Sequence, residues 1–210
     1  MMDTAVMARV VIGVVGFLVL LFLLEKLFHA FGRKEEESPQ RENGRQGEQQ
    51  AAELIRSVLR EGDHLFTNVE ISFQGRPAEI DAVVVNTCGV FVIEVKNYSG
   101  KLVGDEDDYE WEKYHMTEAG NVYVKKVKNP IKQMKRQVYL LAHYLEYYGV
   151  KVWVEGYAML LHRNSPVNSG CILRNTRDID RAVHTPGKVK LTGRKVLEIS
   201  RLMEQTEKRY

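Results

Sequence analysis

The chain of 210 residues is long enough for one globular domain with additions, but short for two full domains. With 28% charged residues and a formal net charge of +2, bulk electrostatics single out no partner, so any nucleic-acid surface must be a local basic cluster. The two cysteines, Cys88 and Cys171, fit neither a metal-binding spacing nor a disulfide framework, which suits a reducing compartment.

Val10 to Leu24 carries no polar side chain. This run is shorter than the roughly 20 residues a bilayer span needs, but Ala5–Met7 and Leu27–Phe28 extend it, and Arg9 and Lys26 can snorkel. A cleaved signal peptide is the alternative, and "EKLFHAFGRKEEE" offers a poor small-x-small site for it. Lys26, Arg33, Lys34, Arg41 and Arg45 follow the run while Arg9 alone precedes it. The positive-inside rule then predicts a signal anchor over 5–28, single-pass in the cell membrane, with the C-terminal domain cytoplasmic. A polar linker over 29–43 and one domain over 44–210 complete the expected organisation.

Apolar residues at 51, 54, 55, 58 and 59 predict a first helix over Glu48–Leu59. Val69–Phe73 alternates like a strand. After the turn residues Gly75–Arg76–Pro77, strands are predicted at Ala78–Val85 and Val90–Lys96. Asp105–Glu118 reads as an acidic loop around Trp111, and Val122–Val127 as a short strand. Asn129–Pro130 is an N-cap with proline at the first helical position, and the helix it opens should stop at Gly149. Val152–Leu161 reads as a strand and Arg194–Gln205 as a closing helix. Together these make an α/β sandwich.

A turn over Asn86–Gly89 with a loop of two or four residues opposes Val85 to Val90, Val83 to Val92, Asp81 to Glu94 and Glu79 to Lys96. One sheet face then carries Glu79, Asp81, Glu94 and Lys96 beside valines. The other, with Ile80, Ala82, Val84, Phe91, Ile93 and Val95, is apolar. Adjacent buried carboxylates repel and resist ionisation. A hard cation such as Mg²⁺ relieves both costs. A structural Glu94–Lys96 or Glu79–Lys96 ion pair explains the same residues.

"EIDAVVV", a turn, "GVFVIEVKNYSGKLVG", Trp111 and "NPIKQ" in that order, with "GRQGEQQAAELI" before them, resemble the nuclease-related domain (NERD) family of the PD-(D/E)xK nuclease-like group. A strict Pro-Asp pair is absent, since Ile80 precedes Asp81. The resemblance implies a restriction-endonuclease-like mixed sheet flanked by helices. It implies Asp81 and Glu94 as ligands of Mg²⁺, with Mn²⁺ as a substitute, and Lys96 as the catalytic ammonium. Glu48 would be an auxiliary acid holding the metal directly or through water, though a first-turn Glu also complements a helix dipole. Gln133 would orient a water or phosphate, or lie on the surface.

Lys125, Lys126, Lys128, Lys132, Lys135 and Arg136 form a basic stretch suited to a phosphate backbone, although such runs are usually solvated faces. The resulting expectation is a membrane-anchored, Mg²⁺-dependent nuclease-like protein acting on DNA or RNA. The alternative is a nucleic-acid or protein interaction module that keeps the fold without turnover.

Overall fold

A computed structural model describes residues 22, 39–117, 120–186 and 190–206. The expected anchor over 5–28 lies outside these residues apart from position 22. No helix among the described residues is long and apolar enough to cross a membrane.

Helix α1, Pro39–Arg56, starts well before Glu48. Proline suits the first helical position, and Gln, Arg and Glu propagate a helix without any apolar stripe, so hydrophobic periodicity misses this stretch. Glu48 is therefore mid-helix, and its reading as a first-turn dipole partner falls. Strands β1 (His64–Phe73), β2 (Arg76–Asn86) and β3 (Gly89–Lys96) follow. A small sheet of β4 (Lys101–Val103), β5 (Glu110–Met116) and β6 (Val122–Lys128) comes next. Helix α2 (Pro130–Tyr147), β7 (Val154–Leu160), β8 (Ile172–Leu173), α3 (Thr176–His184) and α4 (Gly193–Glu204) complete the order.

The main sheet runs β1-β2-β3-β7-β8. Its first three strands are antiparallel, and β7 and β8 continue parallel to β3, so the sheet is mixed as expected. On one face Val83, Val85, Val90 and Val92 pack with Ile131, Leu141, Val196 and Ile199 of α2 and α4. On the other Ala82, Val84, Phe91 and Ile93 pack with Ala51, Ile55, Ile179 and Val183 of α1 and α3. The result is a three-layer sandwich whose central valine-rich strands are covered on both sides.

Two glycines set how closely the layers approach and where α2 ends. A Cβ on Gly156 in β7 would lie 2.2 Å from Met134 Sδ, so its absence lets α2 sit down on the sheet. Gly149, at φ +81°, closes α2 where the sequence predicts.

The acidic segment corrects the expected loop, because part of it is β5, paired along its length with β6. Trp111 is wholly buried and donates its indole N–H to Asp105 O at 2.8 Å. Asn129 ties this segment to α2. Its Oδ1 accepts from Ile131 N at 2.9 Å as the helix cap, while its Nδ2 donates to the carbonyls of Asp105, Glu106 and Asp108. Asn129→Ala should therefore destabilise the domain by about 2 kcal/mol, roughly half from the cap and half from the lost donor. Asn129→Asp keeps the cap acceptor but turns a carboxylate towards three carbonyls, and should recover none of that loss in chemical denaturation. A variant Asn129→Ala as stable as the parent would show that the acidic segment is held elsewhere.

Candidate active site where two strands part

The hairpin of β2 and β3 turns through Thr87 and Cys88. Asn86 accepts from the Cys88 and Gly89 amides at 2.8 and 3.2 Å and donates to Val183 O at 2.9 Å. That two-residue turn fixes the expected register, with Val85 opposite Val90 and Val83 opposite Val92. The ladder then stops at Ala82–Ile93. The expected rungs Asp81–Glu94 and Glu79–Lys96 do not form, because the Val95 amide donates to Asp81 Oδ2 at 2.7 Å instead. β3 continues without its partner, paired on its other side with β7 as far as Lys96–Leu160.

Side-chain alternation slips at the same place. Ile80 packs with Val83 and Val85 rather than with Ala82 and Val84, which corrects the expected face assignment. β1 slips in step: Phe66 packs with Val69 and Ile71, and the intervening Asn68 is left-handed at φ +52°. Asn68 and Asp81 face each other between the pairs Thr67–Ala82 and Val69–Ile80 without joining the ladder. This paired irregularity aims Asp81 into the gap between β2 and β3.

Around the gap stand three more charged groups. Glu94 is 0% exposed. Its Oε2 accepts from Gln137 Nε2 at 2.5 Å, and that same amide donates to Glu79 O at 2.8 Å. Gln137 on α2 thus bridges the parted strands. Glu94 Oε1 is paired with the Lys96 ammonium. From the opposite side α1 supplies Glu48. A Cβ on Gly47 would lie 2.7 Å from Asn97 Cβ, so glycine there lets the helix meet the end of β3. Asn97 then donates to Asn43 O and Oδ1 at 3.0 and 2.8 Å. Glu48, Glu53, Asn68 and Asp81 share a cavity of about 450 Å³ with Arg45.

Crowding of negative charge away from water raises the acids. The Glu48 carboxyl is pushed up to about 7 by burial, then by Asp81 and Glu79, against a lowering pull from Lys96. Glu94 is likewise pushed to about 7 by burial and by Asp81, with Lys96 and Gln137 opposing. Burial raises Asp81 despite Lys96 and the Val95 amide. For Lys96, burial favours the neutral amine, but Glu94 and Asp81 outweigh it and the ammonium is held above its ordinary range.

These oxygens are hard donors near neutrality, and Mg²⁺ commonly takes one or two carboxylates and keeps several waters. The donor set fits such an ion. Among the described residues, however, no three His, Cys, Asp or Glu side chains stand together as a ready-made cage.

The remaining expected site residues are more dispersed. Gln133 makes no bond to the carboxylates. It lines a separate cavity of about 600 Å³ with Glu79 and Gln137, and its Oε1 is buried without a partner. Gln137, one helical turn on, is the glutamine that reaches Glu94. Its signal in the sequence was a polar residue within the apolar stripe Ile131, Met134, Leu141. Of the basic stretch, Lys126 pairs with Glu110, Lys132 with Asp107 and Lys135 with Glu106, at 3.7, 2.9 and 3.3 Å. Arg136 donates to Pro77 O at 2.9 Å. Lys125 and Lys128 lie on β6, on opposite faces of it. Lys125 thus projects to the opposite side of the small sheet from Lys126 and Lys128.

Because Glu48 and Glu94 hold protons in the folded state that an unfolded chain releases near pH 4.5, metal-free stability should fall as pH rises from about 4.5 to 7 and level above it. Glu48→Gln removes one of the two groups. In EDTA it should melt higher than the parent at pH 8, with the difference shrinking towards pH 4.5. A melting temperature equally below the parent at both pH values would show that Glu48 is not under this charge strain.

The family model for the nuclease-related domain matches residues 43–161, more than half of the chain. No curated protein and no solved structure matches at a significant level. The matched span contains α1 from Asn43 onward, the parted strands, the small sheet, α2 and β7, so it encloses the carboxylates, Lys96 and Gln137. The chain belongs to the nuclease-related domain (NERD) family.

Proposed function

We propose that the protein is a metal-dependent nuclease that hydrolyses phosphodiester bonds of DNA or, alternatively, RNA, and that its N-terminal run anchors it to the membrane. The observation that carries this reading is the gap between β2 and β3, where the Val95 amide holds Asp81, Gln137 and Lys96 hold Glu94, and Glu48 lines the same cavity as Asp81. Asp81 and Glu94, with Glu48 directly or through water, would hold Mg²⁺ or Mn²⁺. Bound there, the cation supplies positive charge that makes an attacking water easier to deprotonate and offsets charge on the phosphate.

The chain does the rest. The Val95 amide orients Asp81, and Gln137 orients Glu94. Glu48, which lines the same cavity as Asp81, would complete the donor set from α1. Lys96, with 19% of its side chain exposed, presents a fixed ammonium that stabilises negative charge growing on a phosphate oxygen. Membrane attachment with a cytoplasmic domain is supported by the apolar stretch Val10–Leu24 and the cations that follow it.

A second reading has its own observation. Lys96 already neutralises Glu94, and no preformed three-ligand cage exists among the described residues, as in an interaction module that keeps the fold without turnover.

The two readings separate in one variant set, assayed with single- and double-stranded DNA in Mg²⁺, Mn²⁺ or EDTA. Asp81→Asn and Glu94→Gln should abolish both cleavage and the rise in melting temperature that Mg²⁺ gives the parent. Lys96→Ala should keep that rise while its rate falls by about 10²–10³, the usual cost of one stabilising donor. A parent that ignores the metal, or a Lys96→Ala protein that cleaves normally, would rule out the nuclease reading.

A further inference from the structure

In the β5–β6 ladder Trp111 pairs with Val127, Lys113 with Lys125 and His115 with Tyr123. Opposed residues share a face, so all six project to one side of the small sheet. Only the near end of that side is covered. Trp111 is buried and Val127 packs on the core, but beyond them Lys113 is half-buried, and Lys125, His115 and Tyr123 are exposed, Tyr123 by 59%.

At Lys113 this half comes near the chain that leaves β3. Lys113 Nζ lies 6.0 Å from the ring centroid of Tyr98, which follows Lys96 by two residues. Tyr98 also donates its hydroxyl to Lys128 O at 3.5 Å and lies within electrostatic reach of Lys96, Glu94 and Asp81. Among the described residues neither Lys113 nor Lys125 forms an ion pair, whereas Lys126 on the opposite face is paired with Glu110.

We propose that the face carrying Lys113, Lys125, His115 and Tyr123 is a platform for single-stranded nucleic acid leading to the Asp81–Glu94 site. Lys113 and Lys125 meet phosphates, and Tyr123 stacks on a base. The destination rests on the nuclease reading; the platform itself does not. Alternating cations and aromatic rings suit an unpaired strand, whose bases offer open π-faces. A duplex presents chiefly its phosphates and groove edges.

The test measures binding alone, using full-length detergent-solubilised protein, EDTA and a fluorescent oligothymidylate followed by anisotropy across a salt series. Lys113→Ala with Lys125→Ala should flatten the log–log salt slope by about 0.7 for each phosphate that is no longer neutralised. Tyr123→Ala should weaken binding about ten-fold, while Tyr123→Phe binds like the parent. Lys101→Ala, opposite Tyr114 on the other face of the same sheet, should leave the slope unchanged. Tighter binding of an oligothymidine–oligodeoxyadenosine duplex, an unaffected Tyr123→Ala, or a slope flattened as much by Lys101→Ala would overturn the platform. A parent that cleaves DNA although the β5–β6 variants bind normally sinks the platform and spares the nuclease. Binding lost in those variants of a parent that cleaves nothing does the reverse.

Discussion

The hydrogen bond from the Val95 amide to the Asp81 carboxylate takes the place of a rung in the β2–β3 ladder, and the site follows from that substitution. An uninterrupted ladder would set Asp81 opposite Glu94 as neighbours on one covered face. With the strands parted, a side chain occupies the gap between them, and groups from both faces of the sheet can meet there. The opening is inexpensive because β3 keeps its other edge paired with β7, and Gln137 satisfies Glu79 O across the gap. Asn68 in β1 absorbs the matching slip in a left-handed conformation that asparagine tolerates better than most residues.

The supports of this arrangement are small residues and amides. Gly156 admits α2, which delivers Gln137 to Glu94. Gly47 admits Asn97, which fixes α1 and so holds Glu48 near Asp81. None of these residues needs to touch a substrate. Together they hold the carboxylates where burial and one another's charge penalise ionisation, and that penalty is the feature a cation would relieve. Stability given up at a site in this way is common where local rules are broken for function.

Much of this was legible in the sequence. The register of β2 on β3 followed from a short turn, the start and stop of α2 from Asn129–Pro130 and Gly149, and the family from an ordered set of motifs. Asp81, Glu94, Lys96 and Glu48 do gather, but not on one face, because strict alternation cannot foresee a slip at Asp81 that depends on Asn68 in a neighbouring strand. The polar first turns of α1 carry no apolar period to read. Strand β5 hid behind its acidic residues, since its only buried anchor is Trp111. Gln137 lay in an apolar stripe that reads as core, and strand alternation in β6 sends Lys125 to the opposite face from Lys126 and Lys128.

If the gap between β2 and β3 is a cation site, binding must displace protons from carboxylates that titrate near neutrality. Calorimetric titration of Mg²⁺ into the protein at pH 7, in buffers of different ionisation enthalpy, counts those protons directly. The expected result is release of about one proton per ion, declining towards zero at about pH 8.5 as the acids empty beforehand. Binding with no proton release at pH 7, or no binding at any pH, would contradict it.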